Sequence, residues 1–254
     1  MKRTFISLAA ISALIASTDT SAWGQTSVAA EEASETAASA EDDGLWSFSA
    51  GADLVSAYLW RGAFNAGASF QPSVGVSCGP VTLGAWGSTD FSGENKEVDL
   101  SLSFAKSGFG LCVTDYFYPG NGSFFNWDKG ETCHQLELGV SYDFGEKTNV
   151  PLAFSWNSML AGDDLKSDGD RQFSSYFEID YSLKVKDVDV EIGAGFTPFD
   201  SFYQDGTIGF NMVNLSIKGS YEIEFTDKFH LPVFAQFVLN PNSEDVHMAF
   251  GFSF

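Results

Sequence analysis

Few side chains in this 254-residue chain offer bond-making chemistry. Hydrolysis by a serine nucleophile needs a histidine within hydrogen-bond reach and a polar group to orient it. The three histidines are His134, His230 and His247, and none stands in a His-x-Ser arrangement. Each is expected to be an isolated polar residue, and the chain is not expected to be an enzyme. Cys78, Cys112 and Cys133 lack the Cys-x-x-Cys spacing of zinc or redox sites. They fall at different depths of the layout developed below, and a disulfide needs Cα atoms within about 7 Å, so no intrachain bond is expected. The acidic run from Asp163 to Asp170 is rich in oxygen donors, but its spacing departs from the calcium-loop pattern. It reads as a solvated loop, and no metal and no cofactor is expected.

What remains is fixed charge. A formal net charge of −21 excludes a nucleic-acid partner, whose binders cluster Lys and Arg. It suits exposed loops on a cell surface or a cation-attracting interior. Which of these applies depends on the elements that carry the charges. Beyond residue 45, apolar residues recur at every second position, the signature of strands with one apolar and one polar face.

The clearest case sets Phe173, Phe177, Ile179, Tyr181, Leu183 and Val185 against Ser174, Tyr176, Glu178, Asp180, Ser182 and Lys184. Leu215, Ile217 and Tyr221 alternate in the same way with Asn214, Ser216, Lys218 and Glu222. Leu136, Leu138 and Val140 oppose Gln135, Glu137, Ser141 and Asp143, while Asp99 and Glu191 take polar-face positions on two further strands. The first strand is expected to run from Trp46 to Trp60 with Tyr58 on its apolar face and Asp53 on the other. Arg61 follows where that strand meets its outer loop, placed to pair with Asp90 or Glu94 and shape the mouth, or to form part of a constriction.

The alternation predicts about twelve strands. Their connections alternate between short turns, such as Cys78-Gly79-Pro80 and Lys106-Ser107-Gly108, and longer loops over 118–132, 161–171 and 197–207. An even strand count with that asymmetry is the layout of an antiparallel transmembrane β-barrel. A soluble barrel turned inside out has the same alternation. Three features favour the membrane form: more strands than the eight or so of soluble ligand-holding barrels, aromatics such as Trp46 and Trp60 at the ends of apolar faces, and the chain's final stripe. That stripe comprises Val246, Met248, Phe250, Phe252 and the terminal Phe254.

Residues 1–22 pair a basic start with a short apolar run, read as a secretory signal cleaved after Ala22, with Ala29 or Ala30 as alternative sites. Residues 23–44, acidic and without a large apolar cluster, read as a disordered periplasmic tether. Residues 45–254 form the barrel. A chain with an export signal and such a final strand resembles bacterial outer-membrane barrels, in which the terminal aromatic, here Phe254, looks like the tag read by the insertion machinery.

A narrower resemblance lies in Ser56, Tyr58, Arg61 and Gly62, which match a Ser-x-Tyr-x-x-Arg-Gly strand end. Gly79 to Ser88, with its Trp-Gly-Ser pattern, and Asp115 to Gly120, with its aromatic-Tyr-Pro-Gly end, add two further pieces. Together they resemble the Gcw_chp-type conserved proteins, an uncharacterised outer-membrane family. The resemblance covers about the first third of the barrel and implies a location and a fold, with no assigned activity.

The functional expectation is a small passive diffusion channel in the bacterial outer membrane, favouring cations. Its candidate lumen and selectivity residues are Arg61, Asp53, Asp99, Glu137, Asp143, Glu178, Asp180, Lys184, Glu191, Lys218 and Glu222. The alternative is a closed structural or surface-interaction barrel that binds partners through its outer loops. The aromatic loop carrying Tyr118, Phe124, Phe125 and Trp127 is expected either to make such contacts or to fold inward as a constriction. Expected partners are outer-membrane lipid, the barrel insertion machinery and small solutes or ions, with a monomer favoured.

Overall fold

The computed structural model describes residues 45–120, 122–226 and 229–254. The expected signal over 1–22 and tether over 23–44 lie outside the described residues. The strands are β1 (Trp46–Val55), β2 (Tyr58–Trp60), β3 (Ala63–Ala66), β4 (Ser69–Cys78), β5 (Val81–Asp90), β6 (Lys96–Lys106) and β7 (Phe109–Phe117). There follow β8 (His134–Asp143), β9 (Leu152–Gly162), β10 (Ser175–Val185), β11 (Val188–Thr197), β12 (Asn211–Thr226), β13 (Phe229–Asn240) and β14 (Asp245–Ser253).

All but β2 and β3 close into one twelve-stranded barrel in which each strand pairs with its neighbours in sequence and β14 returns to β1. The pairings are antiparallel throughout. The chain is an all-β antiparallel barrel with the strand number its alternation predicts.

The structure also decides which face is inside. Phe48, Leu83, Met248 and Phe250 are 60–71% exposed on the exterior, whereas Asp53, Gln71 and Glu178 on the opposite face are at most 1% exposed. Successive strand residues point to opposite faces, so this one choice sends the whole apolar set outward and the polar set inward. A water-soluble barrel has the reverse arrangement.

Turns at one end are short. Ser107 and Gly108 both have positive φ (56° and 84°), the mirror-image turn whose twist matches a two-residue hairpin. The other end carries the long connections over 118–133, 163–174 and 198–210. Two connections at that end are short, residues 91–95 and 241–244.

One sequence expectation fails here. The first barrel strand ends at Val55, and Tyr58 and Trp60 do not continue its apolar face: they are 4% and 6% exposed. They belong to β2, which pairs with β3 in a separate two-stranded hairpin within the barrel. Trp46, 62% exposed, does lie on the apolar exterior.

The seam between first and last strands is brief. Only Asp53, Leu54 and Val55 are in register with β14, opposite Ser253, Phe252 and Gly251. Ala52 and Phe254 add two backbone hydrogen bonds, of 3.2 and 3.0 Å. Truncation after Gly251 removes two of the three register pairs and both of those bonds. The truncated chain is expected to lose the compact, heat-sensitive band of a folded barrel on unheated denaturing gels. An unchanged band would show that closure does not depend on the last three residues.

Candidate functional site

The β2–β3 hairpin is built to enter the barrel. Ser56 pins its base to β14, since its amide donates to the Phe250 carbonyl (2.8 Å) and its Oγ accepts from the Phe250 amide (2.9 Å). Beyond that anchor the hairpin has two apolar faces. Ala57 and Leu59 pack on Val238 and Ala249 of β13 and β14. Tyr58, Trp60 and Ala66 pack on Trp86, Tyr116 and Met159 of β5, β7 and β9. The hairpin is therefore held between opposite walls. Burying a large apolar side chain contributes about 1.5–3 kcal/mol, so this packing offsets the ordering of the loop.

The tip carries the chemistry. Arg61 Nη1 and Nη2 donate to Glu137 Oε1 and Oε2 at 2.6 and 2.9 Å, a bidentate pair joining the hairpin to β8. Such fork-to-fork geometry is the strong form of an ion pair. Tyr116 Oη donates to Glu137 Oε2 at 2.9 Å, and Arg61 also donates to Tyr203 Oη. The guanidinium lies 4.7 Å from the Trp60 ring centroid, 4.8 Å from Tyr176 and 5.6 Å from Tyr203, within the range of cation–π attraction.

Arg61 adopts φ of 48°, a left-handed conformation that side chains with a Cβ occupy at a cost. Next to it, Gly62 has φ of 86° and lies so close to the Val213 carbonyl that a Cβ there would collide with backbone. Its own carbonyl accepts from Asn240 Nδ2 at 3.3 Å. The strained tip is thus held from three sides.

The remaining sequence-predicted site residues divide by height. Asp53, Asp99, Glu137, Glu178, Asp180 and Lys218 are buried in the interior. Glu191 lies opposite Lys218 in register and is partly buried. Asp143, Lys184 and Glu222 instead lie at the short-turn rim. Asp143 accepts from the Gly145 amide (2.7 Å), Lys184 pairs with Asp189 (3.2 Å) and Glu222 with His230 (2.7 Å). Among the described residues, Glu222, Glu224 and His230 bring three potential ligand atoms within 4.8 Å of one another, Glu224 standing opposite His230 in register.

Arg61 pairs with neither Asp90 nor Glu94. Asp90 instead caps its own turn, accepting from Ser92 Oγ (2.7 Å) and Asn95 Nδ2 (2.8 Å). In the acidic run, Asp164 is 4% exposed and accepts from the Ser174 amide and hydroxyl at 2.8 and 2.6 Å, so it fastens the loop and is not solvated.

The aromatic loop folds over the outside of the barrel rim. His134 and Asp115 point outward from β8 and β7 and pair at 2.8 Å, and Phe124 offers its carbonyl to His134 Nε2 at 2.8 Å. Trp127 stacks on the imidazole with ring centroids 4.1 Å apart, and Phe125 is 88% exposed. Phe124, Phe125 and Trp127 therefore form no inward constriction. Tyr118 parts company with them: it faces inward beside Glu97. Burial first, then the Glu97 carboxylate, pushes its phenol well above the ordinary value, so it stays a neutral hydrogen-bond donor. Tyr118, Tyr58, Trp60, Phe64, Glu97 and Phe202 line an outward-facing recess of about 490 Å³ above the hairpin.

Sequence reasoning missed Tyr203, Tyr176, Tyr116 and Trp86 as site residues. A signal was present for three of them. Trp86, Tyr116 and Tyr176 interrupt polar faces at interior positions, as do Met159, Val238 and Ala249, and all of these but Tyr176 form the hairpin's two docking walls.

A closed antiparallel barrel with an apolar exterior, a charged interior and an inward hairpin defines this chain as a β-barrel protein. No family model matches the chain, and no curated protein does. Among solved structures it is similar to two mutant forms of the Rh. blastica porin, each at 14% identity over 73% of this chain, with TM-scores of 0.38 and 0.37. The chain spans 55% of the length of those porin chains.

Glu137→Gln would leave the buried guanidinium without its counter-charge. Breaking a buried pair from one side costs about 3–5 kcal/mol, read as a lower urea midpoint for the refolded barrel. Adding Arg61→Met removes the orphaned charge and is expected to restore much of the loss. An unchanged midpoint in the single variant would show that the pair carries no net stability.

Proposed function

We propose that this protein is a bacterial outer-membrane barrel that passes small solutes by passive diffusion and favours cations, with the Arg61 hairpin setting its constriction. One observation carries the reading: the interior holds more acid than base. Asp53, Asp99, Glu178 and Asp180 are buried there. Arg61 is committed to Glu137, and Lys218 stands opposite Glu191 in register. A barrel that only needed a filled interior would use apolar groups there, since burying charge is costly. An acid-lined passage has a use for the surplus, because fixed negative charge concentrates cations and repels anions.

The exposed apolar belt supports a lipid surround, where an exterior Lys or Arg at the midplane would cost about 2–4 kcal/mol. On this reading the short turns face the periplasm and the long loops the outside. Phe254 serves as the insertion tag and the working unit is the monomer. Kinship with the Gcw_chp-type proteins forms part of the proposal, since Ser56, Tyr58, Arg61 and Gly62 are the residues that anchor and tip the hairpin.

The second reading, a closed barrel that binds at its outer surface, is favoured by the aromatic recess above the hairpin. There Phe64 and Phe202 stand 54% and 40% exposed. Planar-bilayer recording separates the two. Small cation-selective steps are expected from the refolded protein, larger ones from Arg61→Ala, and reduced selectivity from Glu178→Gln with Asp180→Asn. If neither the inserted wild type nor Arg61→Ala passes current at any voltage, the channel is overturned and the recess becomes the functional surface.

A further inference from the structure

The recess above the hairpin has a composition that ion passage alone does not require. Its cavity of about 490 Å³ is bordered by Tyr58 and Trp60 of β2, by Phe64 of β3, and by Phe202 of the connection over 198–210. Phe64 and Phe202 are 54% and 40% exposed, yet each ring is held. Phe202 lies nearly parallel to Trp60, with centroids 6.2 Å apart and 12° between planes, and it also packs on Tyr203 at 4.1 Å. Phe64 packs on His247 with centroids 5.9 Å apart. Flat apolar rings therefore border the hollow in fixed positions, which lowers the ordering cost of anything that stacks on them.

The rest of the lining is polar. Ser88, Glu97 and Gln135 belong to the lumen faces of β5, β6 and β8, and Tyr118 follows β7. The Tyr118 phenol donates to the Glu97 carboxylate, and Ser88 stands opposite Glu97 in register. Glu94 and Lys96 are exposed at the rim. Hydroxyl, amide, carboxylate and ammonium groups thus offer donors and acceptors side by side. The charged members of the lining are two acids and one base.

That lining selects by chemistry. The acid excess disfavours anions. An organic cation would be drawn to the rings and the acids, but Lys96 opposes it and Glu97 already accepts from Tyr118. A pyranose ring has an apolar C–H face and a rim of hydroxyls that both donate and accept. It complements flat rings set beside a mixed polar wall. The volume falls within the about 300–1,000 Å³ of small-molecule sites, room for one or two such rings.

We infer that the recess bounded by Phe64, Phe202, Tyr118, Glu97 and Gln135 binds a neutral saccharide unit, stacked on the aromatics and hydrogen-bonded to the polar wall. The inference deepens the reading of the recess as a binding surface, rests on that reading, and does not require the barrel to conduct.

The test uses the full-length refolded protein in a detergent without a sugar headgroup. It is screened on an array of neutral hexose, deoxyhexose and N-acetylhexosamine glycans beside their uronic and sialic acid counterparts. The preferred neutral sugar is then titrated free in solution by calorimetry. Saturable binding is expected, with the acidic counterparts weaker. Phe64→Leu and Gln135→Ala should each weaken it about five- to tenfold, as loss of one stacking or hydrogen-bonding partner does. Phe64→Tyr keeps the flat ring and should retain the affinity. Phe91→Ala removes a 68% exposed ring from the same end of the barrel but outside the recess, and should leave binding unchanged. Variants are compared once each shows the compact band of the folded barrel on unheated gels.

No binding to any neutral glycan, or indifference to both Phe64→Leu and Gln135→Ala, would overturn the saccharide. A preference for the acidic glycans would overturn it equally. Saturable binding of tetramethylammonium in place of sugar, lost in Phe64→Leu, would overturn the saccharide and leave the recess a binding surface. Binding of neither class by a folded barrel would sink both.

Discussion

A guanidinium held across the inside of a barrel is the interaction on which the rest of this structure turns. The Arg61–Glu137 pair joins residues 76 positions apart and is 1% and 4% exposed at its side chains. Away from water its attraction is large, but so is the desolvation of both ions, and only fitting geometry with additional hydrogen bonds tips the balance. Tyr116, Tyr203 and the stacked aromatics supply those additions. They also hold Arg61 in a backbone conformation it would otherwise leave, so the pair, the aromatic cage and the glycine that follows act as one device. The hairpin's apolar faces seat it, and the ion pair fixes how far it reaches.

That device determines how the remaining interior charge is distributed. Arg61 is spent on Glu137, and Lys218 stands opposite Glu191 in register. Glu178 and Asp180 lie on one stretch of β10, opposite glycines of β11 in register. Gly195 admits the Tyr176 ring over the backbone, and Gly193 admits the close approach of Ser216, Asp180 and Glu178 oxygens. Alternating side chains of β10 thus meet a strand that has given up its own.

The rim follows different physics. His134 and Asp115 are polar residues on an otherwise apolar exterior face, where, on the membrane reading proposed above, exposure to lipid would be costly. Their ion pair is roofed by Phe124 and Trp127 from the loop above. The loop thereby gains an anchor and the pair gains a cover. This outward fold leaves a recess above the hairpin, lined by Tyr118 from the start of the same connection and by Phe202 from another.

The strands, their number, their antiparallel order and the identity of the polar face were all legible in the residues. Alternation is a property of each strand's own geometry, and a short turn pairs each strand with the next. The buried acids at mid-height, Asp53, Asp99, Glu137, Glu178 and Asp180, were legible for the same reason. The inward turn after Val55 was not, because Tyr58 and Trp60 keep the same parity as Trp46 and so mimic a continuing strand. What diverts them is an apolar patch contributed by β5, β7, β9, β13 and β14, residues that meet only when the barrel closes. The choice of Glu137 over Asp90 as the partner of Arg61, the outward fold of the aromatic loop and the convergence of oxygens at Gly193 share that origin. Each depends on distances across a closed barrel, between residues that the chain itself keeps far apart.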